Sequence, residues 1–348
     1  MNKYQIVELG ENSNNAGTKA PTDVMNIALN REYVPLAVNL DFTNKSILAK
    51  IRRQLSYLKD YNDIYHSVSS ESIVLLQHPF HHKQLSRSYI LRKLKRKKRV
   101  KYIALVHDVE KLRAYRYNNY YKREFSVMLD LADVIIVHNK RMMDWFISLG
   151  YSKTRLVVLD IFDYIQDNDY QCPVFDKSIT IAGNLDVQKS RYIGELGKVS
   201  VAINLYGPNF DHSLDECPFV HYHGAFPSND IPSKLTKGFG LVWDGDSISD
   251  CSGKAGNYLK YNNPHKLSLY ISSGLPVVIW NGAAEAGFVK EHNLGVCVDS
   301  LYELEHIFND MDEVQYLEMA NNVKEIRNNL ISGYYTTKAI TKAETILS

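Results

Sequence analysis

Short runs of apolar residues alternate along this chain with longer polar stretches whose apolar positions have helical spacing. Most of these runs are continuously apolar, as is typical of parallel strands that are buried on both faces. The pattern predicts an α/β protein with parallel sheets, and helices over residues 47–58 and 121–131 of the first half. The strands predicted in that half are residues 4–9, 34–40, 72–77, 102–106, 134–137 and 156–159.

The alternation stops at a polar segment, residues 166–170, and restarts near residue 178, which predicts a linker between two domains. A chain of 348 residues is long enough for two hydrophobic cores. We therefore place one domain at 1–165, a second at 166–332 and a final segment at 333–348. Two such sheets leave a cleft, and ligands of open α/β sheets bind beyond the carboxyl ends of the strands. The strands predicted in the second half are residues 179–182, 201–205, 239–243, 277–280 and 296–298.

Residues 258–280 place a polar turn before a helix, then Gly-Leu-Pro, then a short apolar strand. Asn263 and Pro264 occupy cap and first-turn positions, so backbone N–H groups of the helix are available to an anion. Lys266 lies in the first turn, where a cation opposes the helix dipole unless a phosphate lies between them. The segment predicts a diphosphate-binding site.

A glycine turn follows the first strand of the second half. Gly183 allows a ligand to approach the backbone closely, Asn184 follows it, and Lys189 lies within reach of a phosphate. The motif alone is a weak indication of a nucleotide site.

Trp243 is followed by Asp244 and Asp246 at another strand end. An Asp-x-Asp pair can hold a divalent metal against a diphosphate. The same composition is common in turns, and Lys266 would make a metal unnecessary. We therefore expect no metal cofactor, and we place Trp243 and Asp244 among the residues that bind the nucleotide sugar.

His107 and Asp108 directly follow the fourth predicted strand, where the sheet opens onto the cleft. An imidazole beside a carboxylate can act as a general base. The alternative is a buried histidine bonded to backbone, with Asp108 capping the next helix. His138 and Asn139 follow the fifth strand in the same way, and there we favour the structural interpretation.

A polar loop, residues 11–20, follows the first strand and enters a helix at residue 22 or 23. Gly17 and Thr18 are small enough for a ligand to approach the backbone, and Lys19 supplies a cation. The spacing of a P-loop is absent. The alternative is a flexible surface loop.

The charge is unevenly distributed: residues 1–165 carry 27 Lys and Arg against 16 Asp and Glu, and the remainder carries 14 against 23. Much of the excess lies in the run from Arg92 to Arg99. Such a run can hold a protein on anionic lipid or be a solvated helix end. Nucleic acid is a poor partner, because the aromatic platforms of known nucleic-acid modules are not beside it.

The sequence also excludes some classes of protein. It contains no uninterrupted apolar run long enough to span a membrane, and residues 1–10 lack the features of a signal peptide. We therefore expect a cytosolic protein. Its cysteines have no zinc-like spacing, so we interpret them as reduced: Cys172, Cys217, Cys251 and Cys297.

Several of these motifs together resemble a known family, the bacterial β-1,6-galactofuranosyltransferases of O-antigen and capsule gene clusters. More distantly, they are similar to the glucosyltransferases that elongate GlcNAc on serine-rich adhesins. The long block at 240–280 is specific, whereas the shorter matches mean little separately. The matching segments are residues 16–20, 106–108 with 112–113, 161–164, 182–185 and 240–280.

The resemblance implies a GT-B fold, in which two Rossmann-like domains face each other across a cleft. The second domain would hold the sugar nucleotide, and the first, with Gly17, Thr18 and Lys19, the acceptor. The C-terminal helix, about 336–347, would return to the first domain. Metal-independent chemistry is expected for this fold, with cations and helix dipoles in place of a metal.

The resemblance also implies residue roles. Many retaining GT-B enzymes place a glutamate where this chain has Leu269, and this departure argues against retaining chemistry of that kind. Transfer from UDP-α-galactofuranose to a β-linkage inverts the anomeric centre, which requires a base on the acceptor hydroxyl. The candidates for this base are Asp108 or His107, with Asp23 in reserve. The groups expected to stabilise the departing diphosphate are Lys266, Lys189, the backbone near Gly183, and Asn263 and His265 beside Pro264.

The implied activity is transfer of galactofuranose from UDP-galactofuranose to a hexopyranosyl acceptor in cell-surface polysaccharide synthesis. The acceptor would be a lipid-linked oligosaccharide, with the Arg92 to Arg99 run docking the enzyme on the inner face of the membrane. One alternative is a glucosyltransferase that uses UDP-glucose on GlcNAc-modified adhesin glycoprotein. Another is a non-catalytic partner that binds a glycan or a sister enzyme. A homo-oligomer remains open.

Overall fold

The computed structural model describes residues 1–10, 16–41 and 46–348. These residues form two compact units: Met1–Leu159 with Thr336–Ser348, and Asp160–Tyr335. The chain therefore divides after Leu159 rather than after residue 165. Ile161 and Tyr164 belong to the hydrophobic core of the second unit, which explains the difference.

The first unit contains a parallel sheet of six strands in the order β2-β1-β3-β4-β5-β6. Every strand predicted in the first half is confirmed, because the central strands are buried on both faces and read as apolar runs. The strands are β1 (Lys3–Leu9), β2 (Val34–Asn39), β3 (Ile73–His78), β4 (Lys101–Val106), β5 (Val134–Val137) and β6 (Leu156–Val158).

Helices connect these strands, and several begin at a side-chain cap. The Asn118 side chain accepts hydrogen bonds from two backbone N–H groups, and Asn139 accepts one from Met142 at 3.0 Å. His138 is fully buried with Nε2 3.0 Å from the Val106 carbonyl oxygen, so the structural interpretation of His138 and Asn139 holds. The helices are α1 (Ala16–Asn30), α2 (Ile47–Ser67), α3 (Arg87–Lys98), α4 (Glu110–Arg113), α5 (Asn119–Leu131) and α6 (Lys140–Ser148).

Helix α1 begins at Ala16, earlier than predicted. Gly17, Thr18 and Lys19 are therefore helical, and the expectation that they form a loop is wrong. Proline favours the first turn of a helix, but α1 begins five residues before Pro21. Pro21 instead lies inside α1, near enough to its beginning that it removes few hydrogen bonds. The remainder of the predicted loop, residues 11–15, lies outside the described residues.

The second unit contains another parallel six-stranded sheet, in the order β12-β11-β10-β7-β8-β9. All five predicted strands are present. The sequence missed the three-residue edge strand β9, whose alternating residues Val-His-Tyr give no apolar run. The strands are β7 (Val174–Ala182), β8 (Ala202–Tyr206), β9 (Val220–Tyr222), β10 (Lys237–Val242), β11 (Val277–Trp280) and β12 (Gly295–Val298).

The helices of the second unit include one long helix and four shorter ones, together with several 3₁₀ turns. Their apolar residues and those of the strands form one continuous core, in which Phe239, Tyr270 and Tyr316 are fully buried. The helices are α7 (Gly253–Tyr258), α8 (His265–Ser273), α9 (Ala286–Glu291), α10 (Leu304–Asp310) and α11 (Glu313–Ser332).

The last helix, α12 (Tyr334–Leu347), joins the first unit from Thr336 onward. Glu344 anchors it: its carboxylate lies 3.0 Å from Lys3 Nζ and 2.7 Å from Arg31 Nη2. Tyr33 donates a further hydrogen bond of 2.9 Å to Glu344. Burial by itself would raise the pKa of Glu344, but hydrogen bonds from Lys3 and Tyr33 and the charge of Arg31 hold it below its usual value.

Within the described parts of the chain, no helix has the length and apolar character needed to cross a membrane. The structure records all four cysteines as free thiols, in agreement with their predicted reduced state. Burial raises the pKa of Cys251, so this thiol stays protonated and inert at neutral pH.

Candidate active site

The predicted diphosphate site lies at the start of α8. Pro264 occupies the N-cap with an extended backbone, φ −72° and ψ 126°, so the chain turns sharply into the helix at His265. The helix ends at Gly274, whose φ of 93° lies in the left-handed region that favours glycine. Lys266 is thus in the first turn, as the sequence predicted, beside backbone N–H groups that attract anions.

The Lys266 ammonium is held in place by the loop after β10. Its Nζ lies 2.8 Å from the Trp243 carbonyl oxygen and 3.2 Å from Asp244 Oδ1. The side chains of Lys266 and Asp244 are 22% and 27% exposed. An ammonium has three N–H donors, so two of them orient Lys266 and the third can donate to a ligand. Asp244 therefore positions the cation rather than the nucleotide itself.

Trp243 was expected to bind the nucleotide sugar, but its side chain is not available for such a contact. Its indole is fully buried, and Nε1 donates to the Ser247 carbonyl oxygen at 2.9 Å. The sequence could not show this, because an aromatic residue at a strand end is compatible with either a stacking surface or a core position. The contribution of Trp243 to the site is its backbone carbonyl.

The first carboxylate of the Asp-x-Asp motif, that of Asp244, forms an ion pair with Lys266. It is therefore not a free ligand for a metal ion. Among the described residues, no group of three or more His, Cys, Asp or Glu side chains is arranged to hold a metal ion.

Gly183 lies on the same edge of this sheet, at the end of β7, and its φ of 143° favours glycine. A Cβ atom on Gly207, after β8, would lie 1.6 Å from the Gly183 carbonyl oxygen, so the two turns pack backbone against backbone. Tyr270 of α8 accepts a hydrogen bond of 2.9 Å from the Ala182 N–H. Helix α8 therefore holds the Gly183 turn as well as presenting Lys266.

Asn184 and Lys189 are both exposed. The Asn184 Oδ1 accepts hydrogen bonds from Asp186 N–H at 3.2 Å and from Asn209 Nδ2 at 2.8 Å, so it shapes the turn. The backbone N–H of Lys189 closes the next turn onto the Asp186 carbonyl oxygen at 3.0 Å. In the described part of the chain, no contact joins the Lys189 side chain to Lys266.

The two residues that flank Pro264 support the loop before them. Asn263 is buried, and its Nδ2 donates to the Asp160 carbonyl oxygen at 3.0 Å. The His265 ring lies beside the Tyr164 ring, with their centroids 5.1 Å apart. Asn263 is therefore an anchor between α8 and the start of this unit, which differs from the expected role as a diphosphate ligand.

A polar cavity of about 200 Å³ lies elsewhere in the second unit, against Ser272, Ser273 and Arg327. These serines are at the carboxyl end of α8, roughly 10 Å along the helix axis from Lys266. The negative end of a helix dipole disfavours a diphosphate, whereas Lys266 lies at the positive end of α8.

In the first unit, His107 and Asp108 lie after β4, at the carboxyl edge of the sheet, as predicted. His107 Nε2 is 2.7 Å from Gln77 Oε1, and Gln77 Nε2 donates to the Pro21 carbonyl oxygen at 3.1 Å. Because the Gln77 amide nitrogen faces a carbonyl, its oxygen faces His107, and Nε2 of the imidazole carries the proton. Asp108 accepts a hydrogen bond of 2.7 Å from Arg113 and is 27% exposed.

Asp23, the reserve candidate, has a different environment. It is 2% exposed and forms an ion pair of 2.6 Å with Lys19, four residues earlier on α1. An acceptor hydroxyl has far less access to this carboxylate than to Asp108. Gln77 links the two regions, since it contacts both His107 and the Pro21 carbonyl.

The structure also shows a buried polar network that the sequence did not predict. Gln84 donates to Glu8 at the end of β1, and Arg87 donates to Glu124 and, at 3.3 Å, to Gln84. Tyr61 donates to Gln84 at 2.7 Å. Burial raises the pKa of Glu8 to about 7, although the charge of Arg87 partly opposes this shift.

The basic run on α3 is only partly available to a partner. Lys95 Nζ lies 2.8 Å from Asp133, Lys98 donates to the Val68 carbonyl oxygen at 2.6 Å, and Arg92 pairs with Asp130 at 2.8 Å. Arg96 and Lys97 point into solvent. Part of the run is therefore structural.

Two parallel α/β units in one chain, with a lysine at a helix N-terminus on the carboxyl edge of the second sheet, are features of the GT-B fold. Solved structures agree with this fold. A glycosyltransferase from Rickettsia africae superposes with a TM-score of 0.62 at 14% identity over the full length of both chains. HepE of Anabaena, in complex with UDP, superposes with a TM-score of 0.61 at 13% identity, over 98% of this chain and 99% of that one.

The sequence itself identifies the family. Residues 3–161 match the N-terminal domain of glucosyltransferase 3-like proteins, and residues 179–343 match their C-terminal domain. The β-1,6-galactofuranosyltransferase WbbI of Escherichia coli is 30% identical over 341 residues, which is 95% of each chain. The protein belongs to this glucosyltransferase 3-like family and is a glycosyltransferase.

Proposed function

We propose that this protein transfers galactofuranose from UDP-galactofuranose to a hexopyranosyl acceptor, forming a β-1,6 linkage with inversion at the anomeric carbon. The observation that carries the proposal is the similarity to WbbI over 95% of both chains. The complex of HepE with UDP supports a UDP-sugar as the donor. The cation at the start of α8 suits the diphosphate of such a donor.

On the donor side, the bond between the anomeric carbon and the diphosphate oxygen breaks, and UDP leaves with the electron pair. Lys266 and the N-terminus of α8 stabilise the negative charge that develops on the diphosphate. Asp244 and the Trp243 carbonyl keep the ammonium aimed at that position. The reaction proceeds without a metal cofactor.

On the acceptor side, the acceptor oxygen bonds to the anomeric carbon, and a base takes its proton. Asp108 is our first choice, because its carboxylate is partly exposed and oriented by Arg113. His107 is the second choice. Its Nε2 already carries a proton toward Gln77, so Nδ1 is the nitrogen that would accept one. Asp23 ranks last because it is buried in an ion pair with Lys19.

The acceptor we propose is a lipid-linked oligosaccharide of a cell-surface polysaccharide, such as O-antigen or capsule. The enzyme would then work as a peripheral protein on the inner face of the membrane. Arg96 and Lys97, the exposed cations of the basic run, are available to anionic lipid.

A second candidate function is supported by the family match. Both halves of the chain match glucosyltransferase 3-like domains, which favours UDP-glucose as donor and a GlcNAc-modified adhesin glycoprotein as acceptor. The same Lys266 site would bind either donor, since both carry UDP. The donor sugar therefore distinguishes the two candidates.

The test is product formation on a hexopyranoside acceptor in the presence of EDTA. One reaction contains UDP-galactopyranose with its mutase, a second omits the mutase, and a third contains UDP-glucose alone. We expect product only when the mutase is present. Product from UDP-glucose alone would support the second candidate, and loss of product with EDTA would contradict the metal-free mechanism.

A further inference from the structure

Helix α2 presents an apolar stripe to solvent. Its buried face contains Tyr57, Tyr61 and Ile64. Another face contains five exposed aliphatic side chains; the last four recur at spacings of three or four residues, and the first lies four residues before the third, so they form one stripe along the helix. This α2 stripe consists of Ile47 (75% exposed), Leu48 (79%), Ile51 (54%), Leu55 (62%) and Leu58 (49%).

The stripe continues onto the neighbouring loop. Gln54 of α2 donates to the Lys83 carbonyl oxygen at 2.9 Å and accepts a hydrogen bond of 2.9 Å from the Leu85 N–H. Leu85, which is 64% exposed, therefore lies beside the α2 stripe. Contiguous exposed apolar surface of this kind marks an interaction site rather than scattered surface residues.

Positive charge surrounds the stripe. Residues 47–59 of the helix carry Lys50, Arg52, Arg53 and Lys59, and the acids Asp60 and Asp63 follow them. Arg52 and Lys59 are exposed and lie on the flank of the stripe. An apolar line bordered by cations is the pattern of a helix that lies in the interface of an anionic membrane.

The charge also distinguishes between two surfaces that could cover the α2 stripe, a second copy of the chain and an anionic membrane. If a second copy of the chain covered the stripe by two-fold pairing, the four cations of each helix would meet with only Asp60 and Asp63 to neutralise them. Anionic lipid headgroups would neutralise them instead. The basic run on α3 is a weaker candidate for the main contact, because Lys95 and Lys98 are bound within the protein.

We propose that the α2 stripe and its flanking cations dock the first unit on an anionic membrane surface, with the aliphatic side chains at the boundary between headgroups and acyl chains. The inference rests on the membrane-borne acceptor of the proposed function and is independent of the donor sugar. Both the apolar side chains and the cations contribute, so either kind of substitution weakens docking.

The test is co-sedimentation of the full chain with vesicles of phosphatidylcholine and phosphatidylglycerol in equal amounts. The double variant Ile51→Gln/Leu55→Gln removes two exposed stripe residues without creating a cavity and keeps good helix formers. Val314→Gln is the matched control, because Val314 is a 75% exposed aliphatic residue on α11. We expect the double variant to bind vesicles about tenfold more weakly, with the control unchanged.

A charge variant, Arg52→Gln/Lys59→Gln, should weaken binding by a similar factor, and phosphatidylcholine alone should bind little protein. Wild-type binding retained by both double variants would overturn the proposal. So would a change of sedimentation coefficient in the Ile51→Gln/Leu55→Gln variant without lipid, which would point to a second copy. Transfer to a soluble acceptor should be unchanged in all these variants, so failure of docking is distinguishable from failure of the proposed activity.

Discussion

The side-chain ammonium of Lys266 is held in place by atoms outside its own helix. The sequence places a cation in the first turn of α8, but the Trp243 carbonyl and the Asp244 carboxylate fix where that cation points. Asp108 is held in a comparable way by Arg113 on the next helix. In both cases a charged residue is oriented by a neighbour, which lowers the cost of positioning it for a transition state.

The role of Asp108 leads to a prediction about turnover. Asp108→Asn keeps the size of the side chain but removes the proton acceptor, so kcat should fall by about 100-fold or more while KM for the donor changes little. Steady-state rates of product formation check this. Asp130→Asn is the matched control, because Asp130 is also an exposed carboxylate paired with an arginine. If His107→Gln lowers kcat by this factor and Asp108→Asn does not, His107 is the base.

Glu8 leads to a prediction about stability and pH. Its pKa is raised by burial from 4.5 to about 7, so between these values the folded state holds a proton that the unfolded state releases. Stability therefore falls as pH rises through this window, by up to about 1.4 kcal/mol per pH unit. Glu8→Gln should remove this slope, which urea unfolding at several pH values would show. An unchanged slope would contradict the buried position of the carboxyl group.

Individual site residues were predictable from the sequence, but their partners in space were not. The sequence indicated Lys266 and Asp108 because each follows a recognisable element boundary. It could not show that Asp244 pairs with Lys266, because 22 residues and the packing of α8 on β10 separate them. The network around Glu8 was missed for the same reason, since its partners come from α3 and α5.

Packing of α8 against β10 depends on a glycine. A Cβ atom on Gly240 would lie 2.1 Å from the Tyr270 ring, so only glycine fits there. Tyr270 in turn accepts the hydrogen bond from Ala182 that holds the Gly183 turn. The contact between strand and helix thus positions both the Gly183 turn and Lys266, the two parts of the proposed nucleotide site.

Gly240→Ala should lower the free energy of unfolding by about 1–3 kcal/mol, because the Tyr270 ring must move to make room for the methyl group. The matched control is Gly287→Ala on α9, where an added Cβ meets no atom within 4 Å. This change should stabilise the protein by about 0.5–1 kcal/mol, since alanine loses less entropy in a helix. Urea unfolding of both variants measures the difference, and equal stabilities would refute the packing argument.

At the element scale, the buried strands were the most predictable feature. A strand covered on both faces gives a continuous apolar run, and all such runs correspond to strands. The misses have physical causes: β9 is a short edge strand, and α1 extends back through the small and polar residues before Pro21, whose composition is also typical of a loop.

The last helix, α12, returns the end of the chain to the first unit. Residues from Thr336 onward belong to the first unit, where Glu344 bonds to Lys3, Arg31 and Tyr33. The family resemblance implied this helix, but the sequence pattern did not indicate which residue anchors it, because the partners of Glu344 lie more than 300 residues away.

Glu344→Gln should destabilise the first unit by about 1–3 kcal/mol at neutral pH, because it leaves Lys3 and Arg31 without their carboxylate. The effect should shrink as pH falls through the lowered pKa of Glu344, since the wild-type carboxylate is then protonated too. Thermal unfolding across that range checks both points. Exposed Glu325 supplies the control variant Glu325→Gln, which should behave like wild type.

The most direct measurement on the whole enzyme is the affinity for UDP by titration calorimetry, because it tests the α8 site without assuming a donor sugar. Lys266→Ala should weaken UDP binding by about 10-fold to 100-fold, since a charge-assisted hydrogen bond to the diphosphate is lost. Lys324→Ala, which removes an exposed lysine from α11, should leave the affinity unchanged. Equal affinity of the Lys266→Ala variant and the wild type would contradict the assignment of this site.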